Sequence, residues 1–293
     1  MGASLKELVA AELAEPVEPQ VAAMAAAIAA RYPGAARAVL FYGSCLRERQ
    51  LEGLMLDFYL IVSDYRATYG KSWLAAANRL IPPNVFPFEH EGLAAKYAVL
   101  SEADFARECS LDARSVSVWA RFAQPSRLVW AADETARARV ADSVAEGPLT
   151  LFALTRPTMA PDAAQDPLAV FHAGFALTYG AELRAERREK PGSIVEADPE
   201  RYRRLGEAVI AEGRAPDPAR AARWPQLQRK GKALTILRLL KASGTFAGGI
   251  DYLAWKINRH AGTKIEVKPW QRRWPLVAGL ILLPRLLKKG AIR

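Results

Sequence analysis

Cysteine and histidine are scarce in this 293-residue chain, which holds two cysteines, Cys45 and Cys109, and three histidines, His90, His172 and His260. Two thiols are too few for a disulfide framework or a cysteine-built zinc site, and they suit a reducing compartment. The histidines are scattered without ligand spacing, so a zinc centre is not expected. His172, inside the apolar stretch DPLAVFHAGFALTYG, reads as a core histidine. A nucleophile elbow of the Gly-Ser-x-Gly kind is missing, which argues against a serine hydrolase. Long apolar runs are missing too: the segment from Trp274 to Leu283 has ten apolar or glycine residues, whereas a membrane span needs roughly 20. No repeat of fixed period occurs. The opening, MGASLKELVAAELAEPVEP, lacks the basic start and apolar run of a signal peptide. Lys6 stands where a myristoylation site needs Ser or Thr. A cytosolic amino end is expected.

What is present is an apolar content of 51%, enough for a globular protein with sizeable cores. The net charge of +10 is unevenly placed. Residues 220–293 carry 17 lysines and arginines against Asp251 and Glu266, a balance of +15, and the preceding 219 residues carry −5. A basic tail behind a mildly acidic body points to phosphates, on a membrane surface or on nucleic acid.

Along the chain, residues 4–31 have alanine-rich helical composition, and Pro33-Gly34 then turns into an apolar strand that ends at Gly43-Ser44. A second strand runs from Leu56 to Val62, and YGKSWLAAANRLIPPN reads as a helix stopped by Pro82-Pro83. AAKYAVLSEADFARE reads as a strand followed by a helix with Ser101 as N-cap. SVSVWARFAQPSRLVWA reads as a further strand or helix-to-strand unit. Alternating elements predict an α/β domain with a mixed sheet over 1–131. A mainly helical domain, for which a winged-helix form is one option, is expected over 132–219. PDPARAARWPQ (216–226) reads as a linker to a basic helical tail over 220–293.

The stretch FYGSCLRERQLEGLMLDFYLIV, residues 41–62, carries the chemistry. A Gly-Ser turn between strand and helix lets backbone N–H groups and a hydroxyl hold β- and γ-phosphates, glycine permitting close approach. Asp57 interrupts an apolar strand, where a charge is costly unless it meets a metal or another cation. This is a layout for nucleotidyl transfer, with Gly43 and Ser44 on the triphosphate and Asp57 on Mg²⁺, a hard cation that prefers oxygen. Arg47 and Arg49 follow the turn and can reach phosphate. Such sites often place a second carboxylate two residues on, where this chain has Tyr59. The alternative is an ordinary turn between strands, with a solvated charge beside it.

The residues quoted resemble the mitochondrial-type phosphatidate cytidylyltransferases, the translocator assembly and maintenance family within the nucleotidyltransferase superfamily, with this chain a divergent bacterial-type member. The likeness runs through FYGSCL, LMLDFYLIVSD and SWLAAANRLIPPN, resumes at AKYAVLS and SVWARFAQPSRLVW, and includes FALTYGAELRAERREKPGSIVEAD. In the last stretch Tyr179, Arg184, Lys190 and Ile194-Val195 match. Glu182 replaces an Asp and Ala181 a Gly, and Ala123-Gln124-Pro125 lacks the family's Lys. The resemblance implies an α/β nucleotidyltransferase-like domain, CTP as nucleotide, Mg²⁺ as cofactor and an anionic membrane lipid as acceptor. It also implies catalytic roles for Asp57 and Glu182, and nucleotide contacts from Gly43, Ser44, Lys96, Arg184, Tyr179 and Lys190. In that family a further acid lies at the far end of the second strand, here Asp64. Seven residues of extended chain put it about 23 Å from Asp57 at roughly 3.3 Å per residue, so Glu182 is the better second acid.

The tail completes this expectation. Trp270 and Trp274 suit a membrane interface, and Arg272, Arg273, Arg285, Lys288, Lys289 and Arg293 flank the short apolar run, giving an interfacial segment over about 269–293. Each basic group near an anionic surface contributes about 1 kcal/mol. Tryptophans beside an apolar run, in place of aromatics spaced over a basic sheet, argue against nucleic acid. The expectation is a CTP-dependent enzyme that joins CMP to phosphatidate or a related lipid, peripheral on the cytoplasmic face of the inner membrane. The rivals are a nucleotidyltransferase with a soluble acceptor and an inactive nucleotide- or lipid-binding adaptor.

Overall fold

The computed structural model describes residues 2–48, 54–70, 72–181, 194–213, 216–245 and 267–269. The alanine-rich opening is two helices, α1 (Leu5–Leu13) and α2 (Pro19–Ala30), parted around Pro16. Ser4 and Glu7 cap α1 reciprocally, satisfying two N–H groups that the first turn leaves open. Pro19 starts α2, where its missing N–H costs nothing.

Five strands follow, β1 (Ala36–Tyr42), β2 (Met55–Val62), β3 (Asn84–His90), β4 (Leu93–Ser101) and β5 (Ser126–Ala131), in the order β3-β4-β2-β1-β5. β2 and β4 run parallel, and the other neighbours are antiparallel, so the sheet is mixed as expected. The short helices α3 (Ser44–Glu48), α4 (Tyr65–Tyr69), α5 (Trp73–Leu80), α6 (Glu102–Cys109) and α7 (Trp119–Phe122) lie between strands. Then come α8 (Glu134–Thr155), α9 (Pro167–Ala181), α10 (Pro199–Ala211) and α11 (Trp224–Thr245).

Side chains alternate across a strand, and here both faces are covered. Val39, Phe58, Leu60, Val62 and Val99 pack with Val21, Met24 and Ile28 of α2. Leu40, Tyr59, Ile61, Ala98 and Leu100 pack with α1, α6, α7 and α8 in a cluster that continues through Phe171, Tyr202 and Leu227 of α9, α10 and α11. Arg201 of α10 is tied to this body by Glu12 of α1 and by the Ala123 carbonyl, 3.2 Å away.

Two stretches differ from the sequence expectation, and a third takes the helix-to-strand form that was one of its two expected readings. β3 was not foreseen, because Pro87 falls in its middle; the strand tolerates it by lying at the sheet edge. It is joined to β4 by Glu91-Gly92, both at positive φ, as a two-residue hairpin turn requires. SVSVWARFAQPSRLVWA resolves into the short α7 followed by β5. The 216–226 stretch is no free linker: Pro218–Arg223 is a 3₁₀ helix, and buried Trp224 donates its ring N–H to the Leu154 carbonyl at 2.8 Å.

Candidate functional site

β1 ends where β2 begins, and their antiparallel register pairs Tyr42 with Asp57. The parallel register of β2 with β4 pairs Asp57 with Lys96. The two-residue period then sets Asp57 and Lys96 on the helical face, in line with buried Tyr59 and Ala98. Lys96 Nζ lies 2.7 Å from Asp57 Oδ1. The contact is an ion pair, its approach lying off the hydrogen-bonding direction.

Gly43 follows Tyr42 with φ +100°, a conformation that side chains strongly disfavour. A Cβ there would stand 3.1 Å from Asp57 Oδ2. Glycine is therefore needed twice, for the turn and for the close approach to the carboxylate. Half-buried Ser44 opens α3 directly after it.

Tyr59 packs in the core. It is 2% exposed, and its ring packs against Tyr42 and Phe122 at 5.2 and 5.3 Å between centroids. Asp64 has a structural task at the other end of β2, capping α4 by accepting from Arg66 N and Ala67 N. Among the described residues, no group of three His, Cys, Asp or Glu side chains could hold a metal ion. Asp57 is the carboxylate that stands beside the Gly43 turn.

Two residues absent from the sequence expectation join the site. Part of Tyr42 is exposed, but burial of its hydroxyl pushes the phenol well above its ordinary range; Asp57 and Tyr59 act in the same direction, and Arg121 against them. Tyr42 is therefore a neutral hydroxyl beside Asp57. Arg121 of α7 hydrogen-bonds to it and donates to the Ser117 carbonyl. The signal for Arg121 was a lone cation in the apolar run SVWARFA.

Cations of α11 dock away from Asp57, at the residues that lead into β3, whose first residue Asn84 pairs with Val99 and so stands level with Leu60 towards the far end of β2. Arg238 donates to Ser117 Oγ at 2.7 Å, to Pro82 O at 2.8 Å and to Ser115 Oγ at 3.4 Å. Lys241 donates to the carbonyls of Pro83, at 2.7 Å, and Ile81. Burial, with Arg238 adding to it, pushes the Lys241 ammonium down to about 7. Asn78, from the stretch that carried part of the resemblance, is fully buried and donates to the Val99 carbonyl at 2.9 Å, a structural role. Trp73 in that stretch is exposed.

Tyr179 lies in α9, half-buried against the helical cluster. His172, read as a core histidine, is half-buried on the same helix. Glu182, Arg184 and Lys190 lie outside the described residues, as do Arg49 and the side chain of Arg47. Their segment leaves from Ala181 and re-enters at Ile194. There Ile194, Asp198 and Tyr202 line a cavity of about 680 Å³ together with Phe41, Cys45 and Leu46, which flank the Gly-Ser turn. The tail residues Trp270, Arg272, Arg273, Trp274, Arg285, Lys288, Lys289 and Arg293 also lie outside the described residues. No helix among the described residues is long and apolar enough to cross a membrane.

The chain matches no protein-family model, and no curated protein matches it.

Proposed function

We propose that this protein is a CTP-dependent nucleotidyltransferase that transfers CMP to the phosphate of an anionic phospholipid, phosphatidate or a relative, with Mg²⁺, as a peripheral protein on the cytoplasmic face of the inner membrane. The observation that carries the proposal is the placement of Asp57. It stands at the mouth of the Gly43 turn, one oxygen against the glycine and the other against Lys96. A carboxylate, a close-approach glycine and a fixed cation at one strand end are what a polyphosphate site requires.

In the reaction, an oxygen of the lipid phosphate forms a bond to the α-phosphorus of CTP while the α–β anhydride bond breaks. Pyrophosphate leaves with the bonding electron pair. Gly43 and Ser44 would hold the triphosphate, and Lys96 and Arg121 would offset its negative charge. Mg²⁺ takes one or two carboxylates plus phosphate oxygens, and Asp57 Oδ2 beside Gly43 fits as one such ligand. When bound, the ion neutralises charge that builds on the transferring phosphoryl group. Tyr42 stays protonated beside Asp57 and can donate to it or to a phosphate oxygen.

Glu182, Arg184 and Lys190, with Tyr179, are proposed to complete the site from the helical side. Ile194, the first described residue after them, lines a cavity that Cys45 and Leu46 also line, which supports this. Residues 269–293 are proposed to hold the enzyme at the lipid surface.

The test incubates the protein with Mg²⁺, labelled CTP or ATP, and phosphatidate vesicles, and follows label into the lipid phase. Label from CTP alone is expected, and Asp57→Asn should reduce it by at least about a hundredfold. Label on a soluble acceptor without lipid would favour the soluble transferase. Nucleotide binding without any transfer would favour the adaptor and end the enzymatic reading.

A further inference from the structure

Paired metal ions in phosphoryl-transfer sites stand about 3.5–4 Å apart, and a carboxylate that bridges them must offer both oxygens. The two oxygens of Asp57 are not equivalent. Oδ1 is closed to solvent and has Lys96 Nζ 2.7 Å away. Oδ2 is the one beside Gly43. The ammonium is held there by the fold, because Asp57 and Lys96 are ladder partners in parallel strands. The next side chain on the same face of β2 is Tyr59, an aromatic packed in a ring cluster in place of a carboxylate. On the β1 side, Tyr42 brings a second cation, Arg121.

We propose that Lys96 is a resident cation that replaces a second metal on Asp57. The site then takes one divalent ion, through Oδ2, and that ion enters with a nucleotide's polyphosphate. The nucleotide half of this inference rests on the nucleotidyltransferase reading; the metal half rests on the Asp57–Lys96 geometry alone. Before nucleotide binds, the ammonium neutralises the carboxylate and repels an incoming cation. The triphosphate then adds the negative charge that makes a divalent ion welcome.

The experiment uses Mn²⁺ in place of Mg²⁺ and reads free Mn²⁺ by electron paramagnetic resonance, on the full chain with and without CTP. Wild type should bind Mn²⁺ weakly alone, and one ion per chain in the complex with CTP. Lys96→Ala and Lys96→Gln should each bind Mn²⁺ alone at least about tenfold more tightly, the low end of what one charge within 4–6 Å does to a carboxylate's proton affinity. The gain should vanish in Asp57→Asn/Lys96→Gln. Two ions per wild-type chain with CTP, or unchanged Mn²⁺ affinity in whichever Lys96 variant retains a cooperative melt, would overturn the proposal. If calorimetry finds no CTP binding to wild type, the nucleotidyltransferase reading fails, and the metal-alone comparison still decides the role of Lys96.

Discussion

A Gly43→Ala substitution should damage the protein twice, once in the backbone and once in the Asp57 carboxylate. The backbone part follows from φ +100°, where a side chain costs about 1–3 kcal/mol. The second part follows from the 3.1 Å between the new Cβ and Asp57 Oδ2. If the carboxylate swings away and the 2.7 Å ion pair with Lys96 opens by about 0.5 Å, Coulomb's law at an effective dielectric of about 20 gives a loss of about 1 kcal/mol. Gly34→Ala is the matched comparison: φ there is +75°, and a Cβ would meet nothing within 4 Å. Urea unfolding of Gly43→Ala, Asp57→Ala and the double variant isolates the coupling, expected at about 1 kcal/mol and absent when Gly34→Ala replaces Gly43→Ala. A Gly43→Ala protein no less stable than Gly34→Ala, with no coupling to Asp57, would refute the reasoning.

Arg201→Ala should cost about 3–5 kcal/mol in urea unfolding, because it strands Glu12 in a poorly exposed pair; the double change to Met at both positions should cost less, and equal losses would show that the pairing contributes nothing. Tyr59→Asp, which restores the second carboxylate of a two-acid site, should lower stability by at least about 3 kcal/mol, since it removes a packed ring and buries a charge. It should add no transfer activity, and a well-folded variant with faster lipid labelling would contradict the packing account. Lys241 has its folded pKa pushed down to about 7 from 10.5. Its proton is held more tightly in the unfolded chain, so stability should rise with pH between these values. Unfolding at pH 7 and pH 9 should show wild type gaining on Lys241→Met, and a pH-independent difference would rule this out.

Much of the sheet was legible because its strands are apolar and end in clear punctuation. Gly43-Ser44 marks the end of β1, and Ser101 marks the start of α6 through its cap on Asp104 N. β3 was hidden by Pro87, since nothing local says which strand will lie at an edge. Asp57 stood out as a charge in an apolar strand, but its pairing with Lys96 depends on β2–β4 register, which joins residues 39 apart in the chain. Tyr42 was illegible for a similar reason, and Arg121 showed only as a lone cation in an apolar run. Tyr42 packs its ring against Tyr59 and Phe122, and Arg121 reaches Tyr42 from α7, neighbours brought together only by the tertiary fold.

The exposed side of a sheet is where two molecules can join strand to strand, and β3 is such a side. Pro87 removes one donor from it. Arg238 and Lys241 claim the carbonyls of residues 81, 82 and 83 at its entrance. A protein shortened at residue 220 to strip its basic charges would lose this cover together with Trp224 and Leu227 from the core, and should self-associate. Its inactivity would then be mistaken for lost lipid contact. A cut after residue 245 leaves the cover in place, so the first part of the basic segment should be needed for a monomeric fold independently of the part that follows it.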